Sequence, residues 1–263
     1  MVDRTREDRL REMGLAPVWK RRVPAPVEAL SGVAERTVTA GPFAAIDTGQ
    51  RGDLAGAVDA TQPVPRVLEI AALGWDELPS HIAGCTACGL CRSRKRTVPG
   101  VGVPTAGWMF VGEAPGAEED AQGEPFVGQA GRLLDNMLKA VALSRTSNVF
   151  IANVLKCRPP NNRNPEPMEV AQCSPYLERQ LELIRPRLIV ALGRFAALTL
   201  LNTEATIASL RGRVHAYCGV PLIVTYHPAY LLRSLPDKAR AWEDLLFAKR
   251  TFAALQSEES SQT

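Results

Sequence analysis

Four short apolar segments constrain the fold of this chain more than any other feature. They cover residues 108–111, 149–152, 188–192 and 220–225, and they are rich in valine, isoleucine, leucine and aromatic side chains. Short, nearly continuous apolar runs are typical of strands that are buried on both faces. The segments therefore predict a parallel sheet whose two faces are covered.

Helical patterns lie between and after these segments, at residues 132–143, 167–184, 195–201 and 239–255. In the first of them, Leu134, Leu138 and Val141 recur at helical spacing and mark one apolar face. Strands and helices that alternate in this way favour an α/β fold with helices on both sides of the sheet. We predict a three-layer α/β/α sandwich.

The two ends of the chain differ from this central region. Residues 1–66 contain only two aromatic side chains, Trp19 and Phe43, but six of the 20 prolines. The small apolar area that this segment could bury does not offset the conformational entropy lost when a chain becomes ordered. We therefore expect a disordered or weakly structured arm, with a small helical domain as the alternative. The folded domain is predicted over residues 67–256, followed by a polar tail at 257–263.

Composition narrows the classes of function only a little. The net charge of +3 is small, so a polyanion would be held by a local basic patch and not by the overall field. The longest apolar stretch, residues 188–201, is interrupted by Gly193 and Arg194 and is shorter than the roughly 20 residues that a membrane helix needs. The first residues are charged and lack a signal-peptide core, which favours a cytoplasmic protein.

Ligands of open α/β sheets bind beyond the carboxyl ends of the strands, and three of the four predicted strands end in chemically active residues. Glu113 follows the first strand within a glycine-rich turn. Asn153 ends the second strand, and a carboxamide both donates and accepts hydrogen bonds. His227 follows the fourth strand directly. A turn that caps a helix and a structural histidine remain the alternatives for Glu113 and His227.

Cationic and apolar side chains accompany these groups. Lys156, Arg158 and Arg163 follow Asn153 among prolines, and a crevice beside them favours contacts with phosphate over simple solvation. The segment after His227 reads Ala-Tyr-Leu-Leu-Arg, which combines an apolar wedge with the cation of Arg233. An inserted apolar side chain and a phosphate-binding arginine are what the opening of a DNA duplex requires.

Five of the six cysteines fall into two groups, which favours metal ligation over disulfides. Cys85, Cys88 and Cys91 precede the first strand, and Cys157 and Cys173 follow the second. Four thiolates can hold zinc or an iron–sulfur cluster, and the spacing does not distinguish the two. Cys91 is either a substitute for Cys88 or a bystander, and free buried thiols are the remaining alternative.

Taken together in their order and spacing, these motifs resemble those of the family 4 uracil-DNA glycosylases. The resemblance spans residues 81 to about 250 and rests on Cys85-x2-Cys88, Gly112-Glu-Ala-Pro-Gly116, Asn153-Val-Leu-Lys-Cys-Arg-Pro-Pro160, Cys173 and His227-Pro-Ala-Tyr-Leu-Leu-Arg233. It implies a four-stranded parallel sheet and hydrolytic removal of uracil from DNA, the first step of base excision repair. It also implies a [4Fe–4S] cluster on Cys85, Cys88, Cys157 and Cys173.

The same resemblance implies a role for each residue of the site. Glu113 and Ala114 would lie against a flipped-out uracil, with Phe126 stacked on it, and Asn153 would read its Watson–Crick edge. His227 would donate a hydrogen bond to the uracil O2. Further implied residues are Glu119, which would be held by a side chain such as Asn162 and help order the site or its water, and Leu231 or Leu232 as the wedge.

The residue types fit this chemistry. Breaking the glycosidic bond places negative charge on the departing uracil, which a fixed donor stabilises. Alanine at position 114 cannot act as a base, so Glu119 and Glu113 are the remaining catalytic carboxylates. The loop at residues 158–165 has no histidine. We therefore expect turnover without the covalent DNA crosslink formed by a related group that carries one there.

Two other classes of protein would share some of these features. A non-enzymatic nucleic-acid-binding module stapled by zinc would have the same cysteines and basic loops, and an iron–sulfur electron carrier would have the same cluster. The sequence favours the enzyme, which we expect to act as a monomer on single- or double-stranded DNA that contains uracil.

Overall fold

Six strands form one mixed sheet in the computed structural model of the protein, which describes residues 65–260. The strands are β1 (Val101–Gly102), β2 (Trp108–Gly112), β3 (Val149–Asn153), β4 (Leu188–Leu192), β5 (His215–Tyr217) and β6 (Val220–Thr225). Their order across the sheet is β1-β3-β2-β4-β6-β5. The four apolar segments of the sequence are β2, β3, β4 and β6, and these four pair in parallel.

The expected four-stranded sheet is thus the centre of a six-stranded one. The strands β1 and β5 pair antiparallel at the two edges, β1 with β3 and β5 with β6. Both edge strands are short and only partly buried, so neither carries the continuous apolar run that marks the central strands. This is the physical reason why the sequence pattern did not reveal them.

Helices cover both faces of the sheet, which confirms the predicted α/β/α layers. The helices are α1 (Pro65–Ala72), α2 (Leu78–Gly84), α3 (Ala117–Gln122), α4 (Gln129–Ala140), α5 (Pro167–Ile184), α6 (Arg194–Leu201), α7 (Ile207–Leu210), α8 (Pro228–Leu231) and α9 (Asp237–Ser260). Alternate side chains of the central strands pack against α5 and α6 on one face and against α4 and α9 on the other. Within residues 65–260, no helix combines the length and apolar character needed to cross a membrane.

Helices form both ends of the described region. The predicted arm lies outside the described residues except for Pro65 and Arg66, which begin α1. Helices α1 and α2 pack on α5 through Ile70, Leu78 and Ile82 around Tyr176. At the other end, α9 continues to Ser260, beyond the boundary predicted at residue 256.

Removing one aromatic ring from the α9 face tests this packing. The rings of Trp108 and Phe252 stack with their centroids 4.5 Å apart, and Phe252 is 7% exposed. We expect Phe252→Ala to lower the free energy of unfolding by about 3–5 kcal/mol, measured by urea denaturation. Lys249→Ala, an exposed change on the same helix, should stay within about 0.5 kcal/mol of the parent. Equal stability of both variants would show that α9 does not pack as described.

Candidate functional site

A cavity of about 470 Å³ lies beyond the carboxyl ends of β2, β3 and β6. Parallel strands end at the same edge of a sheet, which brings together side chains that are far apart in sequence. The volume is typical of a site for a small organic group. The predicted site residues that line the cavity are Glu113, Ala114, Glu119, Phe126, Asn153, Asn162, Arg163, His227 and Arg233.

Asn153 lines this cavity and carries a buried, unpaired hydrogen-bond acceptor. The side chain is 2% exposed, and its Oδ1 has no hydrogen-bond partner among the described residues. Leaving a buried acceptor unpaired costs about 1–3 kcal/mol. Asn153 is the last residue of β3 and pairs with Gly112 of β2. The arrangement favours a ligand that donates a hydrogen bond to the Asn153 oxygen.

Gly112 makes room for this arrangement. A Cβ atom at position 112 would overlap Asn153 Oδ1 and would lie 2.6 Å from Cζ of Phe126. No side chain larger than a hydrogen atom fits between these two groups. The glycine at the end of β2 therefore allows the carboxamide and the aromatic ring to lie side by side.

His227 presents a hydrogen-bond donor. Its Nδ1 accepts a hydrogen bond of 3.1 Å from the main-chain N–H of Ala229, so the proton of the neutral ring is on Nε2. Burial lowers the pKa of His227 to about 4, although the charge of Glu119 opposes the shift. Gly193, at the end of β4, has a φ of +93° and leaves space for the ring, since a Cβ atom there would lie 2.6 Å from the His227 Cβ.

Phe126 supplies a flat apolar surface between these polar groups. Its ring is 5% exposed and lies 5.5 Å from the His227 ring, with the two planes tilted by 32°. The main chain at Phe126 has a φ of +55°, and its carbonyl accepts a hydrogen bond from Arg145. A planar heterocycle can stack on a ring that is fixed in this way.

The two carboxylates of the cavity differ in their surroundings. Glu119 accepts hydrogen bonds from the main-chain N–H groups of Gly116, Val127 and Gly128, at 3.1, 3.1 and 3.4 Å. The expectation that Asn162 holds Glu119 does not agree with these contacts, because Asn162 Oδ1 accepts from Arg158 at 2.7 Å. Burial raises the pKa of Glu113, the other carboxylate.

The basic side chains are less available than the sequence indicated. Lys156 is 1% exposed and donates to the main-chain oxygen of Asn153 and to Oε1 of Gln180, so it does not reach the surface as a phosphate contact would. Burial lowers the pKa of Lys156 to about 8. Arg163 is paired with Glu169 through two hydrogen bonds of 2.9 and 2.6 Å. Arg233 is exposed at the rim.

The short helix α8 places the apolar residues that follow His227. Leu231 is 1% exposed and packs with Tyr226 and Ala241, whereas Leu232 is 40% exposed. Of the two leucines predicted as the wedge, only Leu232 is exposed to solvent. Tyr230, which we did not predict, also lines the cavity, and its hydroxyl donates to Asp237 at 2.6 Å. The sequence could have indicated Tyr230 by its position, because it follows His227 by three residues and therefore lies one turn along the same helical face.

Four cysteines line a second, small internal cavity. These are Cys85, Cys88, Cys157 and Cys173, which were predicted as ligands, and Cys91 is not among the lining residues. N–H groups point at three of the sulfurs, from Arg66 to Cys85 at 3.5 Å, from Arg94 to Cys157 at 3.2 Å and from the Lys156 main chain to Cys173 at 3.3 Å. In the described region, no three His, Cys, Asp or Glu side chains are grouped closely enough to hold a metal ion.

Comparison with known proteins adds independent information. A family model described as the uracil DNA glycosylase superfamily matches residues 99–246. The type-4 uracil-DNA glycosylase of Archaeoglobus fulgidus is 49% identical over 165 residues, which are 60% of this chain and 82% of the relative. The type-4 uracil-DNA glycosylase of Thermotoga maritima is 44% identical over 173 residues, which are 64% of this chain and 90% of the relative. A type-5 uracil-DNA glycosylase of Pyrobaculum aerophilum is 32% identical over 193 residues, which are 60% of this chain and 84% of the relative.

The protonation state of His227 can be measured directly. We expect the ring signal of His227 in an NMR titration to have its midpoint near a pH of about 4, because burial disfavours the imidazolium ion. The signal is identified by its loss in His227→Gln. A midpoint close to the ordinary histidine value of about 6.5 would contradict the buried, neutral ring.

Proposed function

The chain belongs to the uracil-DNA glycosylase superfamily, and we propose that the cavity beyond β2, β3 and β6 is the place where it releases uracil from DNA. The protein is a hydrolase that cleaves the bond between uracil and deoxyribose, which leaves an abasic site for DNA repair. A base must leave the duplex to enter such a pocket.

The unpaired oxygen of Asn153 carries the assignment of the cavity. Uracil has a donor at N3 beside an acceptor at O4, which matches the Oδ1 and Nδ2 atoms of a carboxamide. Cytosine has an acceptor at N3 and a donor at N4, so the same carboxamide would face two mismatches in a buried site. Buried mismatches of this kind discriminate strongly between otherwise similar substrates.

His227 stabilises the leaving group in this proposal. When the bond between C1′ and N1 breaks, its electron pair goes to uracil, and negative charge develops on O2. The Nε2–H of a neutral imidazole can donate to O2, and one such donor is typically worth about 3 kcal/mol in the transition state. Its low pKa fits this role, because the ring is neutral near pH 7 and Nε2 carries its single proton while Nδ1 accepts from Ala229.

The other groups of the cavity hold the base and the water. Phe126 stacks on uracil, and Ala114 and Glu113 lie against its edge, where Glu113 excludes the methyl group of thymine. The oxygen of a water molecule bonds to C1′, and the released proton goes to the uracil anion or to solvent. Glu119, held by three main-chain N–H groups, keeps the wall of the site in place beside this water.

The rim of the cavity supplies the contacts with the DNA backbone. Leu232 is the exposed apolar side chain that would fill the gap left by the flipped base, and Arg233 and Arg158 would bind phosphate. Leu231 supports this loop from the core. We propose that the enzyme acts as a monomer and in the cytoplasm.

A [4Fe–4S] cluster on Cys85, Cys88, Cys157 and Cys173 fits the second cavity. The four sulfurs line one cavity, and N–H groups near three of them suit the charge of cluster-bound thiolates. When bound, the cluster would tie α2 to α5 and to the segment after β3. We assign it a structural role.

Loss of the two recognition groups tests the proposed function. The protein is incubated with an oligonucleotide that contains one uracil, and alkali then cleaves the abasic sites. Because His227 stabilises the anion and Asn153 selects the base, we expect His227→Ala and Asn153→Ala each to lower the rate of release by about tenfold or more. His215→Ala on β5, outside the cavity, should act like the parent. Near-normal release by either site variant would contradict its role.

The cofactor has a separate test. We expect the purified protein to be brown, with broad visible absorption and about four iron atoms per chain. Cys173→Ser should lose the colour and most of the iron because it removes a ligand, whereas Cys218→Ser, an exposed cysteine outside the second cavity, should retain both. A colourless parent protein with one zinc atom per chain would contradict the cluster.

A further inference from the structure

Lys156 is a fully buried ammonium group that the proposed chemistry does not use. Its Nζ donates to the main-chain oxygen of Asn153 at 2.8 Å and to Oε1 of Gln180 at 2.7 Å. A buried charge is costly unless hydrogen bonds and nearby opposite charges compensate it. The hydrogen bonds to Asn153 and Gln180 are the contacts that compensate this buried group.

The contacts of Lys156 extend in three directions. Its main-chain N–H donates to Cys173 Sγ, and its carbonyl accepts from the N–H of Val98 at 2.8 Å. Gln180, which receives the ammonium, is 2% exposed and donates to the carbonyl of Pro99 at 2.7 Å. The end of β3 is thus fixed to α5 and to the segment before β1.

We propose that Lys156 is a positioning residue for base recognition, whose ammonium fixes the main chain at Asn153 so that the carboxamide stays aligned with the cavity. The inference rests on the proposed function. An asparagine side chain has only two rotatable bonds, so the position of its amide depends closely on its own main chain. Small displacements of a recognition group cost large factors in rate.

A double-mutant cycle tests this role. The rate constant of uracil release is measured with enzyme in excess for the parent, Lys156→Met, Asn153→Ala and the double variant. If Lys156 acts through Asn153, Lys156→Met lowers the rate by about tenfold in the parent but by less than about threefold in the Asn153→Ala background. Lys249→Met, the same change at an exposed lysine, should leave both backgrounds unchanged.

A second variant keeps the test decisive if Lys156→Met does not fold. Gln180→Met removes one partner of the ammonium at similar side-chain volume, and its effect should also shrink in the Asn153→Ala background. The visible absorption of every variant reports the cysteine site separately. A rate loss that is equal in the two backgrounds, or that simply follows the loss of absorption, would overturn the inference. A parent protein that releases no uracil would instead overturn the proposed function.

Discussion

A buried carboxamide with an unpaired oxygen is the feature on which the site depends. The rest of the sheet edge holds Asn153 in that state, since Gly112 leaves space for its oxygen and Lys156 holds its main chain. A protein interior rarely leaves such an acceptor without a partner. The free-energy cost of the unpaired Asn153 oxygen is offset when a ligand donates a hydrogen bond to it. The N3–H group of uracil is such a donor.

The sequence revealed those parts of the fold whose signals are local. The predicted bounds of the central strands and of the helix at Pro167–Ile184 agree with the structure to within one residue. Burial on both faces and helical spacing leave clear patterns in the sequence. The short, partly buried edge strands leave no such pattern in the sequence. Glu113, Asn153 and His227 were predicted to lie together because parallel strands end at one edge of the sheet, whereas Phe126, Glu119 and Asn162 were implied by the family resemblance. The hydrogen-bond partners of individual side chains were not predicted, because they depend on tertiary packing. Lys156 is buried and donates to Gln180, and Asn162 accepts from Arg158.

The cysteine cavity and the base-binding cavity share one segment. Asn153 and Cys157 are separated by three residues, and Lys156 contacts the surroundings of both. The first cysteine pair follows helix α2 directly and lies outside residues 99–246 that match the superfamily. In this account a cluster would stabilise the loop after β3, while the chemistry depends on Asn153 and His227. Stability and recognition are therefore linked through one short stretch of main chain.

Inhibition by free bases tests the central claim most directly. Uracil can donate its N3–H to the Asn153 oxygen, whereas 3-methyluracil has the same ring without that donor. We expect uracil to inhibit release of base from DNA with an inhibition constant at least about tenfold lower than that of 3-methyluracil, and we expect the difference to disappear in Asn153→Ala. Equal inhibition of the parent enzyme by the two bases would contradict the claim that this oxygen recognises uracil.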